Sequence, residues 1–241
     1  MNNKTNIIIS VICFILTIGL CIFLIVHKGN KEIADALRFK KQYEDVNNLD
    51  NPFTDKKYIE IHINDDNPFV YKTGKEIVDI LNNESAIVFM GYPESDLTRV
   101  FLPIFIDVLK DNNINKVYYL DILEIRDLYK YSGSIVPALV HEGTNAYYEI
   151  VKFLNDYLDR YYVNDPDGNR YDTAVKRINT PTIVTIKSGK VLDYHYGVGI
   201  NHDEEHATLS EEEQISLKNI LEEIIKNYRE ATEICSSDIA C

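Results

Sequence analysis

The sequence predicts an α/β domain built on a central mixed sheet flanked by helices and preceded by one transmembrane helix. Three observations carry this. Residues 86–122 read as strand, helix and strand, a unit whose connection needs a right-handed crossover and a parallel strand pair. Residues 182–187 and 191–196 are two further strands joined through Ser188-Gly189, close enough to form an antiparallel hairpin. Residues 7–26 carry no charge and, at ~1.5 Å per residue, reach across the ~30 Å apolar layer of a bilayer.

From the N-terminus, residues 1–6 are a short tail and 7–26 the anchor; the apolar run exceeds a signal-peptide core and no small-x-small site follows it. Residues 27–55 mix both charges and contain Asn47-Asn48 and Asn51-Pro52, the composition of a linker, helical as far as Tyr43. The domain proper spans 56–232. Within 57–64, Tyr58, Glu60 and His62 alternate with Ile59, Ile61 and Ile63, the period of a half-buried strand. Thr73 caps a helix over 74–82 with an apolar face of Ile77, Val78, Ile80 and Leu81. Residues 86–90 are a continuous apolar run, the pattern of a strand covered on both faces.

A helix begins near Ser95, with Phe101, Ile104, Phe105, Val108 and Leu109 at helical spacing and Pro103 placed to kink it. Residues 116–122 form the next buried strand. The stretch from about 127 to 176 is an insertion expected to be helical, with an amphipathic segment over 147–158 and turn chemistry over 164–169. The closing helix runs from about Ser210 to Ala231, with Ser210 and Glu213 spaced as a capping box. Residues 233–241 are a tail carrying Cys235 and Cys241.

The formal net charge is −13 and Lys4 is the one charged side chain before residue 27, so the globular part is acidic. That argues against a nucleic-acid or anionic-lipid binder, whose phosphate affinity comes from Lys and Arg displacing counterions. Four cysteines are too few for a disulfide framework, and Cys13 and Cys21 sit in the anchor. The residue pattern implies no cofactor. Asp165, Asp167, Asn169 and Asp172 alternate like calcium ligands, but Pro166 and the missing closing Glu leave a solvated turn as the better reading. His202, Asp203, Glu204, Glu205 and His206 lack three ligands at a defined spacing, and no metal site is assigned. His195 reads as an edge or core residue.

A parallel strand-helix-strand unit followed by a helix, a hairpin and a closing helix resembles the thioredoxin-like superfamily. Specific residues add to the order. Pro103 lies five residues beyond Thr98, as the helix proline of thioredoxins lies beyond the second cysteine of their Cys-x-x-Cys. Thr180-Pro181 precedes the hairpin where that family has its cis-proline, with Gly189 and Gly197 following at family spacing. The segment Gly91-Tyr92-Pro93-Glu94-Ser95-Asp96-Leu97-Thr98-Arg99 is similar to that of membrane-tethered bacterial proteins of the bacteriocin-transport-accessory type. Ser95 and Thr98 stand where both cysteines of that motif belong.

The replacement removes the chemistry. Thiol-disulfide exchange needs a thiolate made available by a helix N-terminus and a second thiol to resolve the mixed disulfide, and a hydroxyl supplies neither. The segment also satisfies plain helix-start rules, with Ser95 able to cap and Asp96 facing the positive end of the dipole. What the resemblance leaves is a peptide-binding edge of Tyr92, Pro93, Ser95, Thr98, Thr180 and Pro181, holding an extended segment of a protein client or a membrane complex. The other expectation is a thiol-disulfide oxidoreductase of cell redox homeostasis acting through Cys235 and Cys241. For localisation, Lys28, Lys31, Arg38, Lys40 and Lys41 after the anchor put the domain in the cytoplasm by charge, whereas the tethered relatives imply an extracytoplasmic domain. The resemblance is followed here: a single-pass protein of the cell membrane with its domain outside.

Overall fold

The strand at 86–91, β2 (Ala86–Gly91), is buried at every position, as its uninterrupted apolar sequence predicts. It lies at the centre of the sheet of this computed structural model, which describes residues 16–18, 26, 28–52, 54–199 and 208–233 and the helical backbone of α1 (Asn3–Glu44) and α5 (Glu211–Ser237). On one side β2 pairs in parallel with β3 (Val117–Asp121), which pairs in parallel with β1 (Phe69–Tyr71). On the other it pairs antiparallel with β8 (Thr182–Lys187), followed by β9 (Lys190–Tyr196). The result is a five-stranded mixed sheet in the order β1-β3-β2-β8-β9.

Alternation along β2 sends Ile87 and Phe89 to one face and Ala86, Val88 and Met90 to the other. The first face is covered by α3 (Asp96–Asp111), α5 and the end of α1; the second by α2 (Gly74–Asn83) and α4 (Asn145–Phe153). This is the mixed α/β architecture the sequence predicts. α3 runs through Pro103, whose ring is on the exposed side. The turn between β8 and β9 is tight: a Cβ on Gly189, at φ +74°, would stand 2.3 Å from the Asn82 carbonyl oxygen, so only glycine fits.

Helix starts follow their sequence signals. Thr73 and Glu76 form the capping box of α2, and Ser210 and Glu213 exchange the same pair of bonds ahead of α5. The backbone N–H of Thr73, with Lys72 and the Thr73 hydroxyl, holds the Glu76 carboxyl down to about 2 from 4.5. A carboxyl depressed in the folded state contributes stability above its unfolded pKa and loses it as pH falls through the folded one. The stability difference between wild type and Glu76→Ala is therefore expected to be full above pH 4.5 and to close as pH falls toward about 2, as measured by urea unfolding at each pH.

Two expectations are corrected. The strand over 57–64 does not join a sheet; it is an extended segment, and the first strand is β1 at Phe69–Tyr71. The 127–176 insertion is not mainly helical. Around α4 and a 3₁₀ turn at Asn155–Tyr157 it holds two small antiparallel sheets, β4 (Leu128–Lys130) with β5 (Ala138–His141) and β6 (Arg160–Asn164) with β7 (Arg170–Lys176). Tyrosine and β-branched residues on these short strands favour pairing over a longer helix.

The polar segment 27–55 contributes to the core. Ala36, Phe39, Tyr43 and Val46 are buried, and Phe39 stacks on Phe69 with centroids 4.0 Å apart. These apolar residues recur every three or four positions among charges, a narrow helical stripe. Residues 7–26 lie within α1, but most of their side chains fall outside the described residues; among the described residues no helix is long and apolar enough to cross a membrane.

Candidate functional site

The sheet brings the two distant parts of the expected edge together. β2 and β8 are in register with Met90 opposite Thr182, so Thr180-Pro181 continues past Thr182 alongside Gly91-Tyr92. The Thr180–Pro181 peptide bond is cis, and the Pro181 carbonyl accepts the Gly197 N–H at 2.8 Å. Pro181 is buried; Thr180 and Tyr92 are half-buried and border the edge. Arg126 lies over the Tyr92 ring, 4.7 Å from its centroid, and donates to its hydroxyl at 3.3 Å.

At the start of α3 each polar group is used internally or enclosed. Ser95 is the N-cap, its hydroxyl accepting the Thr98 N–H at 3.2 Å. Thr98 is fully buried and packs on Gly91, where a Cβ would come within 2.9 Å of the Thr98 methyl; its hydroxyl oxygen is enclosed without a hydrogen-bond partner. Thus Ser95 and Thr98 meet where the resemblance puts a thiol pair, and both face protein rather than solvent.

The residues that dominate this helix start are others. Asp96 accepts the Asn51 side-chain N–H at 3.0 Å and the Ile59 backbone N–H at 3.3 Å. Arg99, with no solvent exposure, donates to the backbone carbonyls of Ile59, Tyr43 and Pro93 and to the side-chain oxygen of Asn47. Burial lowers its pKa, and the Asp96 carboxylate opposes that shift. One extended residue, Ile59, is therefore gripped by both backbone groups, its N–H by Asp96 and its C=O by Arg99. The neighbouring groups are pinned likewise: the Ile61 N–H goes to Asn47 at 3.1 Å and the Ile63 N–H to Glu44 at 2.8 Å. Alternation over 57–64 thus reflects an extended chain held by side chains instead of by a neighbouring strand.

Sequence reasoning missed Asp96 and Arg99 as anchors. The available signal was that Arg99 is the lone charge in the run 97–106, whose other residues except Thr98 are apolar, where a charge must find partners on burial.

The other candidates have plain fates. Cys235 and Cys241, like Cys13 and Cys21, have side chains outside the described residues, as does the 202–206 patch. Asp165 accepts the N–H groups of Asp167 and Asn169 and the Tyr171 hydroxyl, and Asp172 pairs with Arg160, so these carboxylates organise a hairpin. Among the described residues there is no metal-binding group of His, Cys, Asp and Glu. His195 lies beside Phe101, and burial lowers its pKa. Compared with protein-family models, curated proteins and solved structures, the chain matches none of them.

Proposed function

We propose that the protein is a membrane-anchored, thioredoxin-like binding or accessory module that holds an extended protein segment without redox chemistry at the start of α3. The observation that carries the reading is the treatment of Ile59. Asp96 and Arg99 hold the N–H and the C=O of one extended residue beside the position of the lost thiols. A helix start that grips extended backbone needs no thiolate to do so. The thioredoxin-like assignment is supported by the strand order β1-β3-β2-β8-β9, by the cis bond at Thr180-Pro181 and by Pro103 within α3.

In this reading residues 7–26 are the anchor in the bilayer and the domain lies outside the cytoplasm. The chain's own residues 56–63 occupy one side of the edge. A client would run along the other side, bordered by Tyr92 and Thr180, over the buried Pro93, Ser95, Thr98 and Pro181.

The test is selection of unstructured peptides from a displayed library against the full chain in lipid nanodiscs. Binders are expected to compete with one another and to be lost in Thr180→Trp, which fills the edge, with the fold checked by circular dichroism. An empty selection, or binders indifferent to Thr180→Trp, would overturn the assignment.

A further inference from the structure

The insertion, the segment that follows it and the end of β9 form a cleft that plays no part in the reading above. It has a volume of about 690 Å³ and is lined by Arg160, Arg170 and Arg177 together with Tyr161, Tyr162 and Tyr196. In a chain of net charge −13, three guanidiniums in one cleft are a local reversal of sign. Asp159 is the one carboxylate among the described lining residues, and it already accepts the Tyr196 hydroxyl.

Two of the arginines lie on rings; Arg160 is paired with Asp172, the Asp127 carboxylate acts on Arg177, and Arg170 is the one left without an acidic partner among the described residues. Arg170 lies over the Tyr162 ring, 4.3 Å from its centroid, and Arg177 over Tyr161 at 4.1 Å. A guanidinium lying on a ring keeps its in-plane N–H groups for an outside acceptor. Arg160 is paired with Asp172 at 2.5 Å, whereas Arg170 has no carboxylate partner among the described residues. Arg177 donates to the Asp127 carbonyl at 3.4 Å, and its Nε is enclosed without an acceptor. An oxyanion is the group that satisfies several guanidinium N–H donors at once.

We infer that this cleft binds an oxyanion, a carboxylate or phosphate group, with Arg170 and Arg177 as the principal donors and Arg160 at the rim. The site is independent of the edge beside α3. The anion is either a small free molecule or an acidic side chain of a peptide, and both offer the same chemistry to the arginines.

The full chain in nanodiscs is titrated by isothermal calorimetry with inorganic phosphate, citrate and a glutamate-rich peptide at matched ionic strength. Saturable binding is expected for at least one, and it should weaken tenfold or more in Arg170→Ala, about the value of one charge-assisted hydrogen bond. Arg170 is exposed, so the variant should keep its circular dichroism; Arg170→Gln repeats the test with side-chain length retained. Binding of phosphate or citrate supports the site with a free anion as ligand, and binding of the peptide alone supports it with an acidic side chain. No saturable heat with any of the three, or affinity unchanged in both variants, would overturn it.

Discussion

Arg99→Ala is expected to destabilise the domain by about 3–5 kcal/mol, the cost of removing one partner from a buried charged network. The side chain is completely enclosed and satisfies four acceptors on Tyr43, Asn47, Ile59 and Pro93. Truncation leaves the carbonyls of Tyr43, Ile59 and Pro93 without this donor and Asp96 without its neighbouring positive charge. The loss should also be local. Arg99 holds the extended segment by its Ile59 carbonyl, so amide exchange at Ile59 and Ile61 should accelerate well beyond that of β2. Urea unfolding measures the first effect and hydrogen exchange the second. A loss below about 1 kcal/mol, the size of one ordinary hydrogen bond, would mean that the network is not what holds 56–63 in place.

Phe89→Ala should cost about 3–5 kcal/mol for a different reason, the cavity left in a close-packed interior. Phe89 is fully buried on β2, and its ring centroid is 5.6 Å from those of Phe69 and Phe105, 5.8 Å from Tyr119 and 5.9 Å from Phe101. These rings come from β1, β3 and α3, so no single element can close the gap. Because β2 ends at Gly91, beside the α3 start, the variant should loosen the edge as well as the core. Thermal unfolding tests the stability and peptide binding tests the edge; unaltered stability would place the core elsewhere.

Much of this architecture was legible in the sequence because the signals were long-period and redundant. The apolar run of β2, the amphipathic α3, the hairpin turn at Ser188-Gly189, the Thr73 cap and the Ser210–Glu213 capping box each specify a local structure with few alternatives. What was not legible depended on partners. The alternation over 57–64 says extended and half-buried, but not that Glu44, Asn47 and Asp96 would take the amides a neighbouring strand would otherwise have taken. In the insertion, the apolar face over 147–158 gave α4 and masked the short strands around it. The basic cleft was invisible for the same reason: Arg160, Arg170 and Arg177 are dispersed in sequence and converge only when β6 and β7 pair with Asn164 opposite Arg170. Ser95 is legible as a helix cap, while the residues that govern its surroundings, Asp96 and Arg99, are ordinary helix residues until their burial is known.

The central claim is that the domain works without thiol chemistry. It is tested most directly by the rate at which the full chain in nanodiscs reduces a disulfide-bonded peptide in the presence of dithiothreitol, compared with a Cys235→Ser, Cys241→Ser double variant. The account predicts the uncatalysed background rate for both proteins. Turnover by the wild type that disappears in the double variant would contradict it and move the active centre to the C-terminal tail.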